Sequence, residues 1–513
     1  MSLLATRLPS AGTIVAGLAI AIVVIAALVV VIRRHRDAFP MLAVFALPFR
    51  VPVSADGRTV NLLVPLYLVV VAGTLVQLLP RLLHARGRAP HTAGGAGLAA
   101  SGPALAVRGG ADARFALTKP RSWASPRGVE WLLLATVGLY VLQALYSDDR
   151  AKAAESIAFF YVPFALLFLI LRDVRWTREL LLRCLGVAVV LAVLFAGVGF
   201  VEYYRKTLFL NPKVVAANQY DNYFRVNSVF FDPSIYGRFL ALVMIAVTTL
   251  VLTGGSSVRV ASRSVRAGID ATRGERRREI LVGAAVLAWL LAGLVTSFSQ
   301  SSIAALLLGL AVLGAWCWGV RATAYAAGAL VLLAVAVVLL APASLHFGLK
   351  GAKGSASNAT SGRATLISGG LDLFAGRPLE GYGSGSFETE YKRHAKASGA
   401  SAANATSASH TIPITIAAEQ GIIGLAVYAA LLVAAFVVLF RGAGRSPPRI
   451  AVAASFAALV LHTWVYADFL EDPFTWTLLA LGVALARRQA NNPEIAPEAD
   501  PVAGAAGMPA SSV

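Results

Sequence analysis

Apolar residues run along this chain in long blocks separated by polar breaks. The blocks are Ala11–Ile32, Pro40–Phe49, Val60–Leu79, Val129–Tyr146, Ser156–Leu171, Leu180–Val201, Ile235–Leu252, Ile280–Val295, Ser302–Val320, Thr323–Ala341, Thr411–Phe440, Ile450–Tyr466 and Phe474–Ala486. A helix needs about 20 residues to cross a bilayer, and runs this uniform do not alternate as barrel strands do. The pattern predicts an all-α polytopic membrane protein with about 12–13 transmembrane helices. Pro40–Phe49 is short and needs its neighbours in order to span; demoting one block gives the lower number.

The polar breaks differ in kind. Arg33, Arg34 and Arg36 follow the first block, and alternate breaks after it are also basic: Arg81 to Arg127, Arg172 to Arg178, Arg259 to Arg278, Arg321, Arg441 to Arg449, and Arg487 with Arg488. All fall on one side of the membrane, which the positive-inside rule makes the cytoplasm. The N-terminus is then outside and the C-terminus inside. The first block reads as an uncleaved signal anchor more readily than as a cleaved signal peptide. Residues 88–110 are Gly- and Ala-rich and read as flexible, and residues 489–513 as a disordered cytoplasmic tail. The expected organisation is 1–128 as N-terminal helices with a basic loop, 129–488 as the core, and 489–513 as the tail.

Composition agrees with a membrane chain. The 513 residues are 58% hydrophobic and 14% charged, against about 45–50% and 25% for soluble domains. Lys and Arg number 45 against 26 Asp and Glu, a net charge of +19. The surplus sits in the cytoplasmic breaks, so it argues for orientation and not for nucleic-acid binding. Cys184 and Cys317, the two cysteines, lie inside apolar blocks, which argues against a disulfide framework or a cysteine-ligated metal.

Two outward breaks are long and chemically rich, residues 202–233 and 342–410. The first carries Asn222, Arg225, Asn227 and Asp232, side chains suited to hydrogen-bonding a sugar. Asp232 sits where the next helix begins, so it is a helix cap or a ligand. Orientation does not explain Arg225 on this side; it needs a carboxylate or a phosphate. In the second break, Leu366, Ile367, Leu371 and Phe374 recur with helical spacing behind Arg363 and predict a short amphipathic helix ending before Pro378. The flanks 348–362 and 395–409 are small and polar. Arg377 precedes a glycine-rich run, 381–386, that presents Tyr382 and Phe387. That run is a tight surface turn or a substrate contact, and it is not a P-loop. His410 opens the next helix as a plain interfacial histidine or a general base. Glu419 lies within that apolar helix, where a carboxylate must face the interior or a partner. His462, Asp468, Glu471 and Asp472 gather near the last outward turn and could pair with an arginine of the large loop.

Three segments together resemble the O-antigen ligase and polymerase superfamily of bacterial membrane glycosyltransferases: Arg225 to Gly237 ahead of a membrane helix, Ser361 to Phe387, and His410 to Gly424. The turn Thr296–Ser302 also resembles a short small-polar turn of that family. The resemblance implies a donor glycan on undecaprenyl pyrophosphate, a glycan or glycolipid acceptor, and transfer at the outer face of the cytoplasmic membrane without metal or cofactor. It places the family's essential arginines on Arg225 and Arg363 and its histidine on His410. The candidate substrate contacts around them, from residue chemistry and position, are Asn222, Asn227, Asp232, Arg377, Tyr382 and Glu419. Thr411 stands where family members commonly have Asn. Paired glycosidase carboxylates are not evident; Asp232 with Asp221 is the one pair that leaves a divalent metal open. Nucleic acid is not an expected partner, and membrane lipids are. The competing reading is a transporter or flippase for lipid-linked oligosaccharides, which predicts inverted repeats and broken midplane helices; no internal repeat stands out.

Overall fold

The computed structural model describes residues 11–55, 58–86, 123–208, 224–253, 268–340, 355–397, 409, 411–466 and 468–490. Each predicted block has a helical counterpart. The N-terminal part holds α1 (Ala11–Arg34), α2 (Ala38–Ala46), α3 (Val64–Gly73) and α4 (Leu79–Arg86), the last two joined by one wide turn, Thr74–Leu78. Then come α5 (Pro126–Ala144), α6 (Arg150–Ser156), α7 (Val162–Leu171) and α8 (Arg178–Arg205). The central helices are α9 (Pro233–Thr253), α10 (Gly268–Thr296), α11 (Gln300–Trp318) and α12 (Val320–Leu340). The outward region supplies α13 (Ser355–Gly376) and α14 (Phe387–Ala397), and the chain closes with α15 (Ile412–Phe440), α16 (Pro447–Val465) and α17 (Pro473–Ala490). Among the described residues nine helices are long and apolar enough to cross a membrane, and Val320–Leu333 is a shorter apolar stretch. The chain is a multi-pass membrane protein.

Three local expectations change. The block expected from Val60 begins as a strand: β1 (Val51–Ala55) pairs antiparallel with β2 (Arg58–Leu62), with Val53 opposite Val60. The helix in the large outward segment is longer than expected, because α13 starts at Ser355 inside the stretch read as a small polar flank. The third, α14, was not expected at all. It has Glu388 and Glu390 in its first turn and His394 and Lys396 in its last, the charge order a helix dipole favours.

Two cores organise the bundle. One gathers α2, α3, α7, α15 and α17 around Phe39, Leu66, Phe164, Leu431 and Trp476. The other gathers α8, α9, α10, α11 and α16 around Phe195, Tyr236, Phe239, Leu294 and Ala458. In the second, Phe195, Phe230 and Phe239 meet with ring centroids 5.6–6.0 Å apart. Small residues let the helices close: a Cβ on Gly309 of α11 would lie 2.2 Å from Ile245 of α9. Capping fixes several starts, as where the Ser299 hydroxyl accepts the Ser302 N–H at α11 and Thr177 accepts that of Leu180 at α8.

Candidate functional site

The glycine-rich run after α13 is sewn onto a break in α15. Gly421 interrupts α15 with φ 64° and ψ −163°, backbone that an L side chain rarely adopts. The freed groups are met from residues 377–387. Ile422 N–H donates to Pro378 O at 2.8 Å, Gly383 N–H to Glu419 O at 2.8 Å and Tyr382 N–H to Ala418 O at 3.2 Å. A Cβ on Gly421 would lie 2.2 Å from Leu379 O, and one on Gly381 2.3 Å from Glu419 O. The end of α5 closes the other side. Gln143 Nε2 donates to Glu380 O and Gln420 O, both at 3.3 Å, and the Tyr146 hydroxyl donates to Glu380 O at 2.7 Å. The Ser147 hydroxyl donates to Ser384 O at 2.8 Å, and the Ser384 hydroxyl donates to Tyr140 O at 3.0 Å.

Glu419 is what the sequence said it must be, a carboxylate with partners. It is 6% exposed and accepts the N–H groups of Gly385 at 2.9 Å and Phe387 at 3.1 Å. It also lines a small polar cavity of about 80 Å³ with Tyr140, Lys152, Thr415, Asp468 and Glu471. Glu471 Oε1 accepts the Ser156 hydroxyl at 3.0 Å; burial, then Asp468, pushes its carboxyl above the usual range. Arg377 stacks over the Tyr382 ring at 4.5 Å and stands 3.8 Å from Asp148. Arg377 is 46% exposed at the side chain, so it keeps an outward face.

A second polar group lies at the outer end of α9. Arg225 Nε donates to Ser297 O at 3.3 Å, and Val226 N–H to Thr296 O. The Arg225 segment is thus held on the turn between α10 and α11. Ser228 has φ 52°; its N–H donates to the buried Glu202 carboxylate at 2.7 Å and its hydroxyl to Phe195 O. Asp232 caps α9, accepting the Ser234 N–H at 2.6 Å, and its side chain is also bonded by the Tyr466 hydroxyl. Asn227 is fully buried. One turn into α9, Arg238 stands 3.0 Å from Asp472, with exposures of 1% and 0%. Charge and proximity hold this pair, since the approach angle does not make a hydrogen bond. Burial pushes the Asp472 carboxyl up and Arg238 partly restores it. Beside them His462 Nε2 meets the Ser301 and Ser302 hydroxyls at 3.3 and 3.2 Å, and Ser302 donates to Ser234 O. Asp472 therefore pairs with Arg238 of a membrane helix.

Arg225, Asn227, Asp232, Arg377, Tyr382 and Glu419 are all described. Arg363 lies on α13, which packs against α15, but its side chain falls outside the described residues, as do His410 and Asn222 entirely. His410 sits between Ser409 and Thr411, whose groups bond the first turn of α15: Ser409 N–H and hydroxyl both meet Thr415 Oγ1 at 3.0 Å. Sequence reasoning passed over Arg238 and Glu202. The available signal was a charge within or at the end of an apolar block on the side where the positive-inside rule supplies none. Among the described residues no three His, Cys, Asp or Glu side chains gather as a metal-holding group.

Residues 285–429 match the family model described as O-antigen ligase. The match runs from within α10 through α15's first half, taking in Arg363, the glycine-rich run, His410 and Glu419. That stretch of the chain is therefore similar to O-antigen ligases, and the match covers less than half of the 513 residues. No curated protein matches the chain.

Proposed function

We propose that the chain transfers a glycan from an undecaprenyl-pyrophosphate-linked donor to an acceptor hydroxyl, at the outer face of the bacterial cytoplasmic membrane. Transfer inverts the anomeric carbon and uses no metal. Arg225 and Arg363 hold the pyrophosphate oxygens by bidentate contacts. The acceptor oxygen attacks C1 as the bond from C1 to the pyrophosphate oxygen breaks. The electron pair leaves with undecaprenyl pyrophosphate, where the arginines meet the developing charge, and the acceptor proton passes to His410. Asn222, Asp232, Arg377 and Tyr382 frame the sugars, and the buried Asn227 and Glu419 support them from within.

One observation carries this reading. Consecutive residues Glu471 and Asp472 serve two places: Glu471 lines the cavity with Glu419 and Thr415 of α15, and Asp472 pairs with Arg238 of α9. The helix end that follows Arg225 and the one that follows His410 are thereby tied through one short segment, with the Arg363-bearing α13 packed on α15. Such convergence is what a single transfer centre requires.

The test is turnover of purified lipid-linked donor in nanodiscs. Arg225→Ala, Arg363→Ala and His410→Ala each abolish transfer while insertion and helix content stay unchanged. Turnover like the wild type in Arg363→Ala would remove the pyrophosphate clamp. A proton-accepting His410 gives a rate that falls at low pH, and a rate flat from about pH 5 to 8 speaks against that role. Deletion in the native host separates acceptors: lost chain extension marks a polymerase, and accumulated finished lipid-linked polymer marks a ligase.

A further inference from the structure

The opposite, basic face of the bundle carries a second site. A cavity of about 560 Å³ opens there between the end of α15, the starts of α5 and α16, and the end of α17. That volume falls in the range of about 300–1,000 Å³ typical of small-molecule sites. Its polar lining includes Arg441, Arg445, Arg449 and Gln489 and its apolar walls Val438 and Ala486, with no carboxylate among the described lining residues.

The positive-inside rule explains arginines on this face but not how these three are left. Other arginines here have acids. Arg172 and Arg487 pair with Glu130, Arg81 with Asp173, and Arg183 with Asp37 and Glu179. Arg449 is 6% exposed, yet among the described residues its guanidinium meets only neutral acceptors, Val438 O at 2.9 Å and the Gln489 side-chain oxygen. A buried charge held only by neutral groups needs an anion. Arg441 and Arg445 stand exposed at the same cavity, and neither has an acid within ion-pair distance among the described residues. The α5 N-terminus adds its dipole, with Ser125 and Pro126 on the rim. Trp123 and Trp318, both exposed, and Trp316, bonded to Gly444 O, place this level at the membrane interface.

We propose that this cavity binds the phosphate headgroup of an anionic phospholipid of the cytoplasmic leaflet. The arginines take the phosphate, and the apolar walls continue into the acyl region. The site lies at the far end of α15 from the transfer centre, so it is independent of that reading.

The experiment uses the full chain in detergent, read by native mass spectrometry and thermal melting, with phosphatidylglycerol, phosphatidylcholine and inorganic phosphate as probes. Phosphatidylglycerol is retained over phosphatidylcholine and raises the melting temperature. Arg441→Gln with Arg445→Gln, two exposed positions, lowers that preference about 25-fold, at about fivefold per arginine. Arg175→Gln with Arg178→Gln removes equal charge from the same face away from the cavity and leaves the preference unchanged. Three results overturn the proposal. An equal loss in the Arg175/Arg178 pair makes the effect a property of the whole basic face. An equal melting shift from inorganic phosphate makes the ligand a soluble anion. A preference seen only after removal of residues 491–513 makes Glu494, Glu498 and Asp500 the occupants.

Discussion

Replacing Asp472 by Asn isolates the charge of the buried ion pair at the outer end of α9. The Asp472 side chain accepts the Phe474 N–H at 3.1 Å through Oδ1, and Asn keeps that acceptor, so the change removes charge and little else. What is left is Arg238 at 1% exposure, 3.0 Å from a neutral group. Breaking one member of a fully buried pair costs about 3–5 kcal/mol, because the partner is stranded without a counter-charge. That is roughly a hundredfold to several-thousandfold in the folded-to-unfolded ratio. The double variant Arg238→Met/Asp472→Asn strands no charge and should recover most of the loss, since replacing both members of a buried pair is often neutral. Unfolding in mixed micelles of rising sodium dodecyl sulfate fraction, followed by circular dichroism, measures all three variants against the wild type. A single variant within about 1 kcal/mol of the wild type, or a double no better than the worse single, would refute the ion-pair account.

Other outcomes follow from the same geometry. Gly421→Ala and Gly381→Ala force a Cβ to within 2.2–2.4 Å of backbone oxygen and carbon at positive φ, and each should cost about 1–3 kcal/mol or more; melting temperatures check this, and a neutral Gly421→Ala would deny the clasp. Glu419→Gln offers one oxygen to two N–H donors and should lose about 1–3 kcal/mol, read locally as faster hydrogen exchange at Gly385 and Phe387. Glu471 holds its proton more tightly folded than unfolded, so the stability linked to it is present below the ordinary glutamate value of about 4.3 and is lost as pH rises through the raised folded value. Relative to the wild type, Glu471→Gln should therefore gain melting temperature across that rise, and a difference constant from about pH 4 to 8 would show that the group does not titrate in this way.

The bundle was legible because the bilayer leaves the backbone few choices. Every block long enough to span became helix, since only internal hydrogen bonds satisfy the chain there. What was missed lies where that constraint stops. The hairpin β1–β2 brackets Asp56-Gly57, a recognised hairpin signal, but it abuts an apolar run and was read as that run's beginning. Helix α14 carries a dipole-matched charge order, yet its polarity blended into a segment taken as a loop. Arg238 was absorbed into the apolar block Ile235–Leu252, where a lone charge barely alters the average. The clasp between Glu419 and the N–H groups of Gly385 and Phe387 spans more than thirty residues and exists only once α13 and α15 have packed, so no local pattern could announce it.

Arginine meets the surrounding field in different ways in this fold. On the basic face, Arg172, Arg183 and Arg487 pair with acids at partly exposed positions, where such pairs contribute little individually, and orientation accounts for their presence. Arg449, on that same face, is buried against neutral oxygens. On the outer face Arg238 is buried against an acid, which fixes α9 to the segment before α17, whereas Arg225 is held only half-buried by the Ser297 carbonyl. Arg238, 1% exposed beside Asp472, is shut away from a substrate phosphate, whereas Arg225 stays partly exposed on the outer face. Burial and partner type therefore separate these two outer-face arginines, a distinction net charge and sidedness could not draw.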